Sequence, residues 1–366
     1  MSDPDCEAVL KKLTILLTFL GIAALTAITA WLGFGAVLDA MQKIGFSGFA
    51  ALLLGQLLVD GMLGFAWYLA CPELGLMRTT AARALRDAAG NCLPFSQLGG
   101  MLVGIRATCF EPTPRPGRRP RRHPVDWPEA VATNLVDITT EVLGQIVFIL
   151  LAVFCLIGHQ GGGKFIWPVI GGMAILSLGI AGFIYTQQKS GTFIHRIAEF
   201  FGRHIADSWR DSLVDNMDAF QTHLDALWSH PARVARGAGM HLVGWLASAG
   251  LTLLAFRLLG AQLSYTGAVA IEGVVCGVMS AGFLVPASLG VQEAAYVALG
   301  VIFNIDPKIA LGLSLLRRGR DIALGIPMLL VWQGLEMRRL RTARQADYAV
   351  PAKPAATDAA ATRKAS

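Results

Sequence analysis

Long apolar runs constrain this chain more than any other feature. Six mostly apolar stretches recur along it, at 13–35, 46–70, 129–158, 165–186, 238–259 and 309–335. A helix needs about 20 apolar residues to cross the hydrocarbon core of a bilayer. Of the 366 residues, 54% are hydrophobic and 15% are charged, whereas a soluble domain carries about 25% charged residues. The sequence therefore predicts an all-α, polytopic integral membrane helix bundle with six full spans.

Two further apolar segments, 81–110 and 266–302, are interrupted. Both breaks share Pro-x-Ser followed by glycine, at Pro94, Ser96 and Gly99 and at Pro286, Ser288 and Gly290. Proline blocks a straight helix, and in lipid such a break survives only where protein or a water-filled cavity surrounds it. We expect each segment to form a hairpin, either re-entrant or of two short spans. The alternative is eight ordinary spans, two of them with a proline kink.

The distribution of arginine and lysine predicts the orientation. Basic residues cluster at Arg78, Arg83 and Arg86, across 115–122, across 189–236 and at 338–341. By the positive-inside rule these segments, and with them both termini, are cytoplasmic. The first hairpin then enters from the cytoplasm and the second from the opposite face. Residues 13–186 and 238–335 would therefore form an inverted repeat, as in many secondary transporters.

The chain is expected to form one membrane domain over 1–345, followed by a tail. Between the halves, the segment 189–236 combines many charges with apolar residues three and four positions apart, which is typical of amphipathic helices. This segment lies along the cytoplasmic membrane surface or packs on the bundle as a small helical cap. The tail, 346–366, is rich in alanine, proline and threonine, and we expect it to be disordered.

The last span contains charges where lipid would be expected. Arg317, Arg318, Arg320 and Asp321 have apolar residues on both sides. Each such charge costs about 2.5–3.5 kcal/mol at the bilayer centre, so these side chains must face the bundle or a wet cavity. The i, i+4 spacing predicts an Arg317–Asp321 pair, while Arg318 points towards a different partner.

Other intramembrane charges complete a candidate site. We expect an anion-binding or ion-coupled cavity between the halves, lined by Arg317, Arg320, Glu293 and Arg106. Guanidinium groups bind phosphate bidentately, so an anionic headgroup is a natural ligand. The alternative is a salt-bridge network that only joins helices. Cysteine and histidine spacing indicates neither a metal site nor a cofactor. The candidate substrate-binding residues are Arg317, Arg318, Arg320, Asp321, Glu293, Pro286, Ser288, Gly290, Arg106, Pro94, Ser96, Asp137, Glu141 and Glu272.

The residues around the second break resemble those of a known family. The segment from Pro286 to Glu293 reads Pro-Ala-Ser-Leu-Gly-Val-Gln-Glu, similar to the P-x-x-x-G-x-x-E signature of the transmembrane region of lysylphosphatidylglycerol synthases. Within that superfamily, 135–145 and 310–333 resemble hopanoid-biosynthesis-associated membrane proteins of the HpnL type. The resemblance covers about 10 to 340. It implies a flippase-like role in the bacterial inner membrane, without lysyl transfer, because the soluble aminoacyl-transferase domain is missing.

Three functions remain open on the sequence alone. The first, which we expect, is a lipid transporter whose partners are membrane lipids with a hopanoid or an anionic headgroup. The second is a lipid-modifying membrane enzyme, for which Asp137 and Glu141 are the only paired carboxylates. The third is a non-catalytic scaffold that gathers hopanoid-synthesis enzymes through 189–236 and 115–122. We expect no enzymatic activity and no nucleic-acid partner.

Overall fold

A computed structural model gives the fold. The structure describes residues 34–92, 96–109, 125–157, 219–281 and 290–349. Within these ranges the regular elements are helical, which confirms the predicted all-α class. They are α1 (Phe34–Ala70), a 3₁₀ turn (Pro72–Leu74), α2 (Leu76–Cys92), α3 (Ser96–Cys109), α4 (Trp127–Ile157), a helical segment over 219–228, α5 (Pro231–Leu258), α6 (Tyr265–Ala281), α7 (Val291–Ile302) and α8 (Pro307–Ala349).

Within the part of the chain that the structure describes, three helical stretches are long and apolar enough to cross a membrane. They are Gln42–Ala70, Trp127–Ile157 and Pro231–Leu258, and they match the predicted spans 46–70, 129–158 and 238–259. Within α1, Gly45 has a φ of 71°, so the predicted span begins directly after a break in the helix. The predicted span 165–186 lies outside the described residues. So does the predicted span 13–35, except for its end, which belongs to α1.

The last predicted span, 309–335, lies within α8. This helix contains Pro327 and continues to Ala349. It therefore extends a few residues past 346, where the sequence predicted that the tail begins. The rest of the predicted tail lies outside the described residues.

Each interrupted segment folds as two antiparallel helices. In the first, a Cβ on Gly100 would lie 2.8 Å from the carbonyl oxygen of Arg86, so α3 runs back along α2. In the second, the Tyr296 hydroxyl on α7 donates to Glu272 on α6 at 2.7 Å. The predicted hairpins are confirmed. Pro94, Pro286 and Ser288 lie outside the described residues.

The contacts between helices repeat in the two halves. The first half is α1 to α4 and the second is α5 to α8. The hairpin arm α2 packs on α8, the corresponding arm α6 packs on α4, and α1 packs along α5. Each half thus places one hairpin arm against the last helix of the other half.

Small residues allow the helices of the two halves to approach closely. A Cβ on Gly144 of α4 would lie 2.7 Å from the carbonyl oxygen of Ala238 and 2.9 Å from the amide nitrogen of Leu242, both on α5. In membrane proteins, small residues at helix contacts provide the packing that the hydrophobic effect cannot supply. The contact between α4 and α5 therefore holds polar side chains of both halves close together.

The helical segment over 219–228 packs on the bundle. Leu224 is 1% exposed and belongs to a cluster with Trp67, Cys71 and Val125. For this part of the predicted segment 189–236, burial favours a helical cap over a helix lying on the membrane surface. The end of the predicted segment belongs to α5, which begins at Pro231. The remainder lies outside the described residues.

Candidate functional site

Two clusters of buried ion pairs occupy corresponding places in the two halves. Arg83 is the eighth residue of α2 and Glu272 is the eighth of α6. Asp137 is the eleventh residue of α4 and Arg317 is the eleventh of α8. Arg83 pairs with Asp137 and Glu272 pairs with Arg317. In each half an ion pair joins the eighth residue of the first hairpin helix to the eleventh residue of the last helix. The acidic and basic residues have changed places between the halves. We call the two sets the α2–α4 cluster and the α6–α8 cluster.

The α2–α4 cluster joins two arginines to three carboxylates. Arg83 donates to Glu141 Oε1 at 2.6 Å, to Asp137 Oδ2 at 3.2 Å and to Asp87 Oδ2 at 2.7 Å. Arg86 Nη2 lies 2.8 Å from Asp137 Oδ2 and 3.0 Å from Glu141 Oε2. Because burial makes an unpaired charge costly, these contacts fix α2 against α4.

The burial of Arg83 and Arg86 corrects the charge-based orientation. The positive-inside rule counts basic residues in loops and near span ends. The structure instead places both arginines inside α2, 3% and 7% exposed, where they neutralise carboxylates of α4. They therefore say nothing about which side of the membrane the first hairpin enters from.

A histidine from the second half completes the α2–α4 cluster. His241 of α5 lies with Nε2 3.1 Å from Asp137 Oδ1 of α4, and both side chains are fully buried. Further along α4, Gln145 donates to Ser280 Oγ of α6 at 2.8 Å. Polar side chains therefore join the two halves in the interior of the bundle.

The α6–α8 cluster is built around Glu272, which is 2% exposed. Its carboxylate accepts hydrogen bonds from Arg317 at 2.5 Å and from the Tyr296 hydroxyl at 2.7 Å. Ser248 and Thr252 of α5 donate to the same carboxylate at 3.1 and 2.8 Å. Four donors surround this carboxylate, as a buried charge requires.

The predicted Arg317–Asp321 pair is wrong. Arg317 turns to Glu272, and Asp321 Oδ1 accepts from its neighbour Arg320 at 2.8 and 2.9 Å. An ion pair within one helix is worth only about 0.2–0.5 kcal/mol, whereas Arg317 is needed to neutralise a buried carboxylate on another helix.

Arg318 has a different partner, as its position in the helix predicts. It donates to both oxygens of Glu293, at 2.6 and 3.2 Å. Glu293 also accepts from the backbone nitrogen of Gly290 at 2.9 Å, so it caps the start of α7. The residues of the family-like signature that the structure describes thus tie the second hairpin to α8.

A cleft lies beside the α6–α8 cluster. Arg317 and Arg320 contribute to its lining. The cleft is partly open to the surface, and its cavity volume of about 20 Å³ leaves room for little more than one water molecule. The rest of its lining comes from Leu52 of α1, from Leu251, Thr252 and Ala255 of α5, and from Leu313 and Leu316 of α8. Because α1 belongs to the first half and the other two helices to the second, the cleft lies between the halves.

The residues expected around one cavity are divided among several places. Arg317 and Arg320 line the cleft, whereas Glu293 holds Arg318. Arg106 on α3 pairs with Glu336 on α8, with 2.5 Å between Nη2 and Oε1. Asp137 and Glu141 belong to the α2–α4 cluster. The side chain of Ser96 lies outside the described residues.

Several polar residues of the two clusters were missed from the sequence. His241, Ser248 and Thr252 recur at intervals of seven and four residues in α5. This spacing places them on one face of a helix, and it could have marked the face that meets the carboxylates. Tyr296 lies one turn after Glu293 in α7 but gives no comparable signal, since a lone tyrosine is common in apolar helices.

The family comparison covers both clusters. The model of the transmembrane region of lysylphosphatidylglycerol synthase matches residues 18–327. The chain belongs to this family. The match includes every site residue discussed above except Glu336. No curated protein and no solved structure matches the chain significantly. As a member of the family, the protein is embedded in a membrane and related to lipid biosynthesis or transport.

Proposed function

We propose that this protein is a flippase-like lipid transporter that moves an anionic lipid headgroup across the inner membrane of a bacterium. The observation that carries the proposal is the cleft between the halves, where two guanidinium groups meet apolar walls. Guanidinium groups suit phosphate, and the apolar walls suit the adjoining hydrocarbon. A lipid offers both chemistries in one molecule.

Arg320 is the cation best placed to receive the headgroup. Arg317 is committed to Glu272, whose carboxylate is almost fully buried and holds four hydrogen bonds. Arg320 is paired only with the adjacent Asp321 among the ion pairs of the described residues, and the Asp321 side chain is 20% exposed. A phosphate could therefore displace Asp321 at a smaller cost than Glu272. Arg317 would then add positive charge near the phosphate while it keeps its ion pair with Glu272.

We also propose that the transported lipid is a hopanoid or a lipid handled together with hopanoids, and that the protein performs no chemistry. The sequence resemblance supports the association with hopanoids. The arginines Arg83 and Arg86 already hold the paired carboxylates Asp137 and Glu141, which supports a structural and electrostatic role for them. Transport would proceed by rocking one half against the other, with both termini in the cytoplasm.

The test uses the purified protein in liposomes that contain a lipid labelled on its headgroup. Dithionite outside the vesicles bleaches each label that reaches the outer leaflet. We expect the wild-type protein to expose inner-leaflet label, and Arg320→Ala to lower the rate at least about tenfold, because a charge-assisted hydrogen bond is worth about 1.5–3 kcal/mol. The matched control, Arg233→Ala, removes an arginine from an exposed pair with Glu73 and should change the rate less than twofold.

Two results would reject this function. One is a rate equal to that of protein-free vesicles for anionic lipids and hopanoids alike. The other is transport at the same rate after Arg320→Ala. If the Arg320 variant also leaves cells unchanged while deletion of 189–218, which spares the packed helix and α5, removes the cellular phenotype, the scaffold hypothesis is favoured instead.

A further inference from the structure

The α2–α4 cluster has more carboxylates than cations. Its ion pairs join Arg83 and Arg86 to Asp87, Asp137 and Glu141. Within the described residues of this cluster, one negative charge is therefore left without a matching arginine. A net charge in a buried site is costly, and binding of one proton would remove it.

His241 offers a place for that proton. Its Nε2 lies 3.1 Å from Asp137 Oδ1. We assign the N–H to Nε2, because an ionised carboxylate can only accept a hydrogen bond. The other ring nitrogen, Nδ1, is buried and has no hydrogen-bond partner among the described residues. In the neutral ring Nδ1 therefore holds a free lone pair inside the cluster.

We propose that His241 and Asp137 form a proton-binding site that couples lipid movement to a proton gradient. The coupling rests on the transport function proposed above. A proton from water on one side of the membrane forms an N–H bond at Nδ1, while Nε2–H stays bonded to Asp137. When the halves rearrange, the Nδ1–H bond breaks and the proton passes to water on the other side. No electrons are transferred.

Charged groups of both signs lie on the elements that pack against α5, and Asp137 and Glu141 among them interact with His241 itself. The charged and titratable groups of these elements are Asp137 and Glu141 on α4, Arg83, Arg86 and Asp87 on α2, Cys71 beside the 3₁₀ turn, Asp60 on α1, Glu272 on α6, and Arg317 and Arg320 where α8 meets α5. Arginine stays charged at all relevant pH values, so the arginines of the cluster cannot take up a proton. His241, by contrast, has a buried ring nitrogen without a hydrogen-bond partner among the described residues.

The position of His241 explains how a proton could affect the whole molecule. His241 belongs to the second half and Asp137 to the first, so its charge changes the attraction between the halves. At the α6–α8 cluster, the first half contributes an apolar residue to the cleft, because Leu52 of α1 lies there beside Arg317. One cluster would bind the proton and the other the headgroup.

Direct titration tests proton binding without any transport assay. The seven histidines are labelled with ¹⁵N in the full chain in detergent, and His241→Gln identifies the signal of His241, since glutamine keeps a donor near Asp137. We expect that signal to take the chemical shifts of a doubly protonated ring when the pH is lowered on the folded protein. A ring that stays singly protonated for as long as the protein is folded would overturn the proposal. His230→Gln, at an exposed position, is the matched control and should remove a different signal.

A pH gradient across the same liposomes tests coupling. We expect the gradient to change the wild-type rate of headgroup translocation at least about fivefold, His230→Gln to keep this response, and His241→Gln to lose it. Lipid movement that ignores the gradient in the wild-type protein overturns coupling but leaves the transport function standing. Lipid movement absent under every condition rejects the transport function and coupling together, and the titration then decides the proton site alone. The wild-type measurement remains decisive if the His241 variant does not fold.

Discussion

At the scale of single residues, the two clusters use one arrangement with opposite charges. In the first half the carboxylate is that of Asp137, on the last helix. In the second half it is that of Glu272, on a hairpin arm. Each carboxylate is almost fully buried and receives a guanidinium group from the other element. A buried carboxylate is thus neutralised in both halves, while the side chains presented to the centre of the protein differ.

Glu272→Gln should destabilise the protein strongly. The change leaves Arg317, whose side chain is 22% exposed, without its buried counter-charge, and removing one partner of a buried pair costs up to about 3–5 kcal/mol. Thermal unfolding in detergent measures the effect. The control Glu73→Gln, which removes the exposed partner of Arg233, should leave the midpoint nearly unchanged. Recovery of part of the loss in Glu272→Gln/Arg317→Gln would confirm the pairing, whereas an unchanged midpoint in the single variant would contradict it.

At the scale of elements, α5 is the helix around which the halves are joined. It contacts α1, α4 and α6 and supplies His241 to one cluster and Ser248 and Thr252 to the other. The close approach of α4 at Gly144 sets the distance between Asp137 and His241. Helix packing and the polar contacts therefore depend on each other.

Gly144→Ala should separate α4 from α5. Its Cβ would lie within 3.0 Å of three atoms of α5, two of them backbone atoms, and such overpacking costs about 1–3 kcal/mol. We expect a lower unfolding midpoint. Gly239→Ala is the matched control, because no atom lies within 4 Å of its Cβ and alanine favours the helix by up to about 1 kcal/mol. Equal midpoints for the two variants would show that this close contact does not matter.

The sequence predicted the helices better than their partners. Spans and hairpins follow from local patterns, since apolar length and proline breaks act within one segment. The partner of Arg317 depends instead on which helix packs beside α8, so the local spacing to Asp321 was misleading. Arg83 and Arg86 were taken for loop charges for the same reason, because their burial depends on the carboxylates of α4.

At the scale of the whole molecule, the proposed transport depends on movement between the two halves. The hairpin arm α2 meets α8 across the boundary between them. A Cβ on Gly325 would lie 2.6 Å from Cys92 Sγ, which is shorter than the roughly 3 Å between a Cβ and the far sulfur of a disulfide, so the Cys92 side chain must turn slightly for the bond to form. A cysteine at this position would therefore lock the first half to the second through a native thiol.

Lipid translocation by Gly325→Cys, before and after oxidation, tests the central claim most directly. Cross-linking to Cys92 should lower the rate to that of protein-free vesicles, and dithiothreitol should restore it. Cys92→Ala/Gly325→Cys, treated identically, should keep its rate. Fully cross-linked protein that moves lipid as fast as the reduced form, or reduced protein that moves none, would contradict a transporter whose halves rock around a central cleft.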